Sequence, residues 1–158
     1  MTTSLKRAGT VLLSVLLLCT LALSAGAASK LRVGVKFWKT GSDKESMANS
    51  GIDTSREASL TRQSNGTYTL TLPIQQVSKM GVTGYLTGLT IGDVTYDGTL
   101  TGDFEKSTAS LTIKNLPASV LTGSDVNKSI TVTCNIQMDM ALLGEINTTA
   151  RMCIWNKK

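Results

Sequence analysis

No histidine occurs among the 158 residues. A Ser-His-Asp or Cys-His catalytic unit cannot be assembled without one, and neither can a Cys/His zinc site. The sequence also lacks a Gly-x-Ser-x-Gly elbow, a P-loop and a dinucleotide-binding glycine pattern. Aromatic residues make up 4% of the chain and the basic residues form no runs, so bases would find neither stacking partners nor a basic stripe. Asp43, Asp93, Asp97, Asp103 and Asp125 fall in polar, turn-like stretches with no recurring ligand spacing. They read as solvated turn residues rather than as a calcium or acid/base site. Together these absences argue against an enzyme and against a nucleic-acid partner, and they leave a binding protein.

Long apolar runs are absent too, except at the start. Lys6 and Arg7 precede an apolar stretch from Val11 to Leu23, which ends in Ala25-Gly26-Ala27. A short basic region, a short apolar region and a small-residue cleavage site together make a secretory signal over residues 1–27, too short for a spanning helix. Leu18 before Cys19 is too large for a lipoprotein signal. No second apolar span follows, and the end, Asn156-Lys157-Lys158, carries no sorting motif. The expected product is extracellular, either free or held at the cell wall. Residues 28–158 have the length of one domain. The whole chain carries +5, and loss of Lys6 and Arg7 leaves +3, a mild and scattered charge.

What is present is a period of two. Leu31, Val33, Val35 and Phe37 alternate with polar or small residues, as on a strand with one buried face. Ala58–Arg62 is a second, weaker strand. Asn65-Gly66 predicts a type I′ hairpin turn, because both central residues of that turn need positive φ. Tyr68, Leu70, Leu72 and Ile74 follow, with Pro73 near the strand end where a missing N–H is tolerable. Gly81–Ile91 forms a fourth strand, and Val94-Thr95-Tyr96 a fifth that Asp97-Gly98 closes. Ala109, Leu111 and Ile113 mark a sixth, Ile130 to Met140 a seventh, and Ala150, Met152 and Ile154 an eighth. About eight short strands with turns between them predict an all-β, immunoglobulin-like β-sandwich. Between the first two strands, Ser42 to Ser50 is polar and short, and Ser42 or Asp43 is placed to cap a single helical turn.

Cys134 and Cys153 lie on the last two strands. A loop centred between Leu143 and Gly144 sets them opposite each other, and an exported protein could oxidise them to a disulfide. A register shifted by one sets Cys134 opposite Ile154 and Ile136 opposite Met152, which leaves Cys153 on the other face. The first register is slightly favoured. Beyond Met1, methionine occurs at 47, 80, 138, 140 and 152. Most of these, Met80 included, read as core filler. Met47 does not, because its stretch is polar. An exposed thioether there suits an apolar neighbour or a soft metal, haem iron among them.

Ser46-Met47-Ala48-Asn49 resembles the lip helix of NEAT-like haem-binding domains, with closer similarity to the Shp family of secreted haem carriers. Val35-Lys36-Phe37-Trp38, Met80 to Leu86 and Ala150 to Trp155 extend the resemblance over most of residues 28–158. The resemblance implies that haem sits between the lip helix and the last β-hairpin. NEAT domains commonly supply an axial tyrosine there from a Tyr-x-x-x-Tyr motif. Ile146 to Asn156 contains no tyrosine, so that form of the site is excluded. Shp-like domains use two methionines instead. Carried over, Met47 is one axial ligand, with the second from Met140, or behind it Met138 or Met152. Ser46 and Asn49 would bond a propionate at the rim, and Trp38, Tyr85, Ile52 and Ile136 would form apolar walls.

Two functions are therefore expected from this sequence. The first is a secreted haem-binding protein that captures haem and passes it to another transfer protein or a transporter receptor. The alternative is an Ig-like secreted module that binds protein or glycan without haem.

Overall fold

The computed structural model describes residues 28–139 and 144–158. The leader expected over residues 1–27 and the expected ligand Met140 lie outside the described residues. Nine strands follow in the order β1 (Lys30–Lys39), β2 (Ala58–Arg62), β3 (Tyr68–Pro73), β4 (Val77–Lys79), β5 (Val82–Ile91), β6 (Val94–Thr101), β7 (Ser110–Leu116), β8 (Ile130–Met138) and β9 (Glu145–Asn156). A 3₁₀ turn over Met47–Gly51 separates β1 from β2, and two shorter ones precede β8. No helix of the described residues is long and apolar enough to cross a membrane.

All pairings are antiparallel, in the order β4-β5-β6-β7-β3-β2-β1-β9-β8, and β8 pairs back onto β5. The sheet thus closes on itself as a barrel-like β-sandwich, and β4 alone stands outside the ring. Closure removes most of the free strand edge that would otherwise invite aggregation. The period of two does the sorting into faces. Leu70 and Leu72 are fully buried between the outward Thr69 and Thr71, and Leu111 and Ile113 on β7 meet them across the sheet. With Phe37, Leu60, Leu89, Val132, Met152 and Ile154 they form one continuous core. Each such side chain contributes about 1.5–3 kcal/mol by leaving water.

Several expectations need correction. Asn65 does not take positive φ; only Gly66 does, at 83°. Gly66 N–H donates to Gln63 O at 3.1 Å and Gln63 N–H to Thr67 O at 2.8 Å, a type I turn closed by a glycine bulge. The Asn65 side chain accepts from the Thr67 N–H and hydroxyl, which holds the turn in this form. The two-residue turn with both φ positive instead joins β4 to β5, at Met80 (53°) and Gly81 (79°). Met80 is 94% exposed there and fills no core. Asp97-Gly98 lies inside β6 rather than ending it. A Cβ on Gly98 would come within 2.4 Å of Leu111, so this glycine marks close packing, not a turn.

The last hairpin adopts neither expected register. Ile130 faces Met152, Cys134 faces Thr148 and Ile136 faces Ile146. Cys153 lies five positions beyond Thr148, about 17 Å further along β9, and pairs across with Lys36 on β1. The tentative Cys134–Cys153 disulfide is therefore not formed; both thiols are free and buried. Burial with no compensating charge pushes the Cys134 thiol up to about 12.

Candidate functional site: a cleft under the lip turn

β2 covers β1 only as far as Val33, so the edge of β1 is open at Phe37. The chain turns back over it after Lys39. Ser46 N–H donates to Phe37 O at 3.0 Å, and the Asn49 side chain completes the attachment. Asn49 Oδ1 accepts from Phe37 N–H at 2.8 Å while Asn49 Nδ2 donates to Phe37 O at 2.7 Å. The amide thus stands in for the missing strand neighbour. Asn49 acts as a clamp on β1 and is not among the residues that line the cleft. Ser46, also expected at the rim, is the N-cap: it is 9% exposed and its hydroxyl accepts from Ala48 N–H at 3.3 Å. Neither Ser42 nor Asp43 caps the turn. Their loop is instead tied to β9 by Arg151, which donates to Ser42 O at 2.6 Å and to Asp43 Oδ1 at 2.9 Å.

Clamped this way, the lip turn overhangs a cleft of about 280 Å³. Met47, Ala48 and Gly51 form its upper side, Val77 and Lys79 of β4 one end, and Gly84, Tyr85 and Leu86 of β5 its floor. Ile136 and Met138 of β8 and Ile146 and Thr148 of β9 complete it. The cleft continues the core. Val132, Cys134, Ile136 and Met138 share one face of β8, and Ile146, Thr148, Ala150 and Met152 share the facing side of β9. The deep ends of both strands are buried, and the shallow ends line the cleft.

This geometry separates the methionines. Met47 is 56% exposed on the lip turn, and Met138 is half-buried on β8. Met138 lies over Gly84, where an added Cβ would approach Met138 Sδ to 2.7 Å, so the glycine makes room for the thioether. Met152 is fully buried against Phe37 and Ile130 and does not reach the cleft, which removes it from the candidate ligands. Tyr85 and Ile136 are wall residues as expected, the Tyr85 ring also packing at 5.0 Å from Phe104. Trp38 and Ile52 are not. Trp38 lies beneath the Lys36 ammonium at 4.5 Å from the ring centre, and Ile52 bridges to Ile74 in the core.

Sequence reasoning missed Ala48, Val77, Lys79, Ile146 and Thr148. Lys79 is the charged residue among the described lining residues, and its Nζ donates to Met47 Sδ at 3.6 Å. Its neighbours on β4 give no alternation to read, so only the β4–β5 pairing brings it to the cleft. Gly84 carried the one available signal, since glycine inside a strand often marks a close approach. Among the described residues no three His, Cys, Asp or Glu side chains converge. What the cleft offers a metal is two thioethers and a phenol among its lining residues. What it offers a larger ligand is a narrow apolar slot with a cation at one end.

Neither a family model nor a curated protein matches the sequence. Solved structures do match in fold. One is a mutant of the fifth NEAT domain of IsdX2 in complex with haem, with a TM-score of 0.53 and 10% identity over 84% of this chain and 98% of that one. Another is the NEAT5 domain of IsdX2, a B. anthracis hemophore in complex with haem, with a TM-score of 0.50 and 8% identity over 84% and 99%. The β-sandwich described above is thus a NEAT-type fold, whose similarity runs through nearly the full length of those domains.

Proposed function

We propose that this protein is an exported haem carrier whose cleft holds the porphyrin under the lip turn, with Met47 and Met138 as the axial thioethers. The observation that carries the reading is that Met47 of the lip turn and Met138 of β8 line one and the same apolar cleft. The walls suit a porphyrin in chemistry: aliphatic and aromatic side chains with few polar groups, in an opening at the small end of ligand sites that leaves an edge in water. Haem supplies an iron with two axial positions, and soft, neutral thioethers are ligands it accepts. Met138 packs over Gly84, whose missing Cβ leaves room for the sulfur. Met47 stands on the lip turn that Ser46 caps and Asn49 clamps. Neutral sulfur exchanges more readily than an anionic oxygen, which suits a carrier that passes its cargo on rather than an enzyme that retains it. The haem-bound NEAT neighbours support the same reading, and the signal-like residues 1–27 support export.

The test is an absorption titration with ferric and ferrous haem of the wild-type protein, Met47→Ala and Met138→Ala. Saturable low-spin spectra in the wild type, altered in both variants, are expected. Spectra identical to free haem in buffer would overturn the reading and leave an interaction module. Retention in Met138→Ala would move the second ligand to Met140.

A further inference from the structure

Lys79 has no part in the two-thioether reading, yet it is the charge at the cleft. It ends β4, the strand outside the closed ring, and pairs with Val82 as the last pair before the Met80-Gly81 turn. That turn holds both φ angles positive, and the Ser78 hydroxyl bonds the Thr83 hydroxyl at 2.8 Å one pair back. The strand end is therefore fixed although its side chains are exposed. From there the Lys79 ammonium reaches across the mouth to Met47 Sδ. A thioether is a weak acceptor, so this contact is a poor use of a cation. It also occupies the sulfur that would have to face a metal.

We infer that Lys79 selects for carboxylates on the edge of the bound porphyrin, and that pairing with them draws its ammonium off Met47 Sδ and frees the thioether for the iron. The inference rests on the proposed haem reading and adds a specificity to it. Ser46 and Asn49 bond the backbone and do not line the cleft, so a carboxylate at this end meets Lys79 as the charged donor among the described lining residues. A charge-assisted contact is the stronger kind of hydrogen bond, and even partly exposed it outweighs one to sulfur.

The experiment compares haem with haem dimethyl ester, in the same detergent, on wild-type protein, Lys79→Gln and Lys79→Arg. The wild type should prefer the free acid by roughly two- to fivefold, the upper part of the range for one exposed ion pair. Lys79→Gln should lose that preference by weakening the free acid alone, and Lys79→Arg should retain it. Equal affinity of the wild type for the two porphyrins, or an equal loss of both in Lys79→Gln, overturns this inference and leaves the haem reading standing. Failure of the wild type to bind either one overturns both.

Discussion

Asn49→Ala separates a clamp from a ligand. In the wild type, the Asn49 amide makes two bonds of 2.8 and 2.7 Å to Phe37, one to its N–H and one to its carbonyl. After truncation the Phe37 carbonyl keeps the Ser46 N–H at 3.0 Å, but the Phe37 N–H loses its partner. One lost bond costs about 1 kcal/mol and an orphaned, part-buried N–H about 1–3 kcal/mol more, so roughly 2–4 kcal/mol of stability should go. For a domain of this size that is a fall in Tm of roughly 8–16 °C. Thermal unfolding followed by circular dichroism, without haem, reads it directly. Asn49→Asp should cost at least as much, because it sets a carboxylate oxygen against the Phe37 carbonyl. A Tm within about 2 °C of wild type together with lost haem binding would refute the clamp and restore Asn49 as a group facing the ligand.

Other perturbations read other parts of the molecule. Met152→Ala opens a core cavity and should cost about 2–5 kcal/mol, while the haem spectrum of the folded fraction stays unchanged; an altered spectrum would bring Met152 back to the site. Gly84→Ala sets a Cβ 2.7 Å from Met138 Sδ and 2.9 Å from Gln137 O, so titration should show weakened haem binding and denaturant unfolding a loss of about 1–3 kcal/mol. Met80→Asn should raise stability by roughly 0.5–1 kcal/mol in the same unfolding assay, because it relieves positive φ at a side chain that packs on nothing. Cys134 has its folded pKa raised from 9.0 to about 12. The unfolded chain therefore loses this proton first above pH 9, and stability falls as pH rises through the window between 9 and 12, by about 1.4 kcal/mol per unit. Between pH 8 and 10, wild type should lose about 1.4 kcal/mol more than Cys134→Ala does.

How much of this was legible follows from what each signal encodes. Alternation encodes which face a residue takes, and the long amphipathic runs were correct: Phe37, Leu70, Leu72, Leu111 and Ile154 all point inward. β4 was not legible, because Val-Ser-Lys is too short to show a period. Glycine encoded less than it promised, since Gly66, Gly81 and Gly98 serve a bulge, a tight turn and a close contact respectively. Depth along a strand was the largest gap. The register that set Ile136 opposite Met152 had the faces right, but pairing Ile130 with Met152 carries that methionine six positions deeper on the same face. A repeating apolar pattern fits many registers of equal parity, and only the turn and the neighbouring strands choose among them. Met47 escaped this ambiguity because its setting was polar, and polarity around an apolar residue needs no register to be noticed.

The same reasoning explains how the proposed site dispenses with histidine and with a tyrosine on the last strand. A carrier needs two donors that face each other across a slot, and a closed β-sandwich supplies such a slot wherever its core face runs out beyond the strands that cover it. Here β8 and β9 run out past the core at Ile136, Met138, Ile146 and Thr148, and the lip turn covers what they expose. Phe37 connects the two halves: its ring is fully buried in the core and its backbone grips Asn49. The lip is therefore positioned by the core, while Met47 at its start stays exposed. One donor fixed in the wall and one on a supported edge is an arrangement that binds without enclosing. It predicts that Met138 sets affinity and Met47 sets the rate of release. Stopped-flow transfer of haem to apomyoglobin should show Met47→Ala releasing faster by a larger factor than it lowers the association rate, and the reverse order would refute this division of roles.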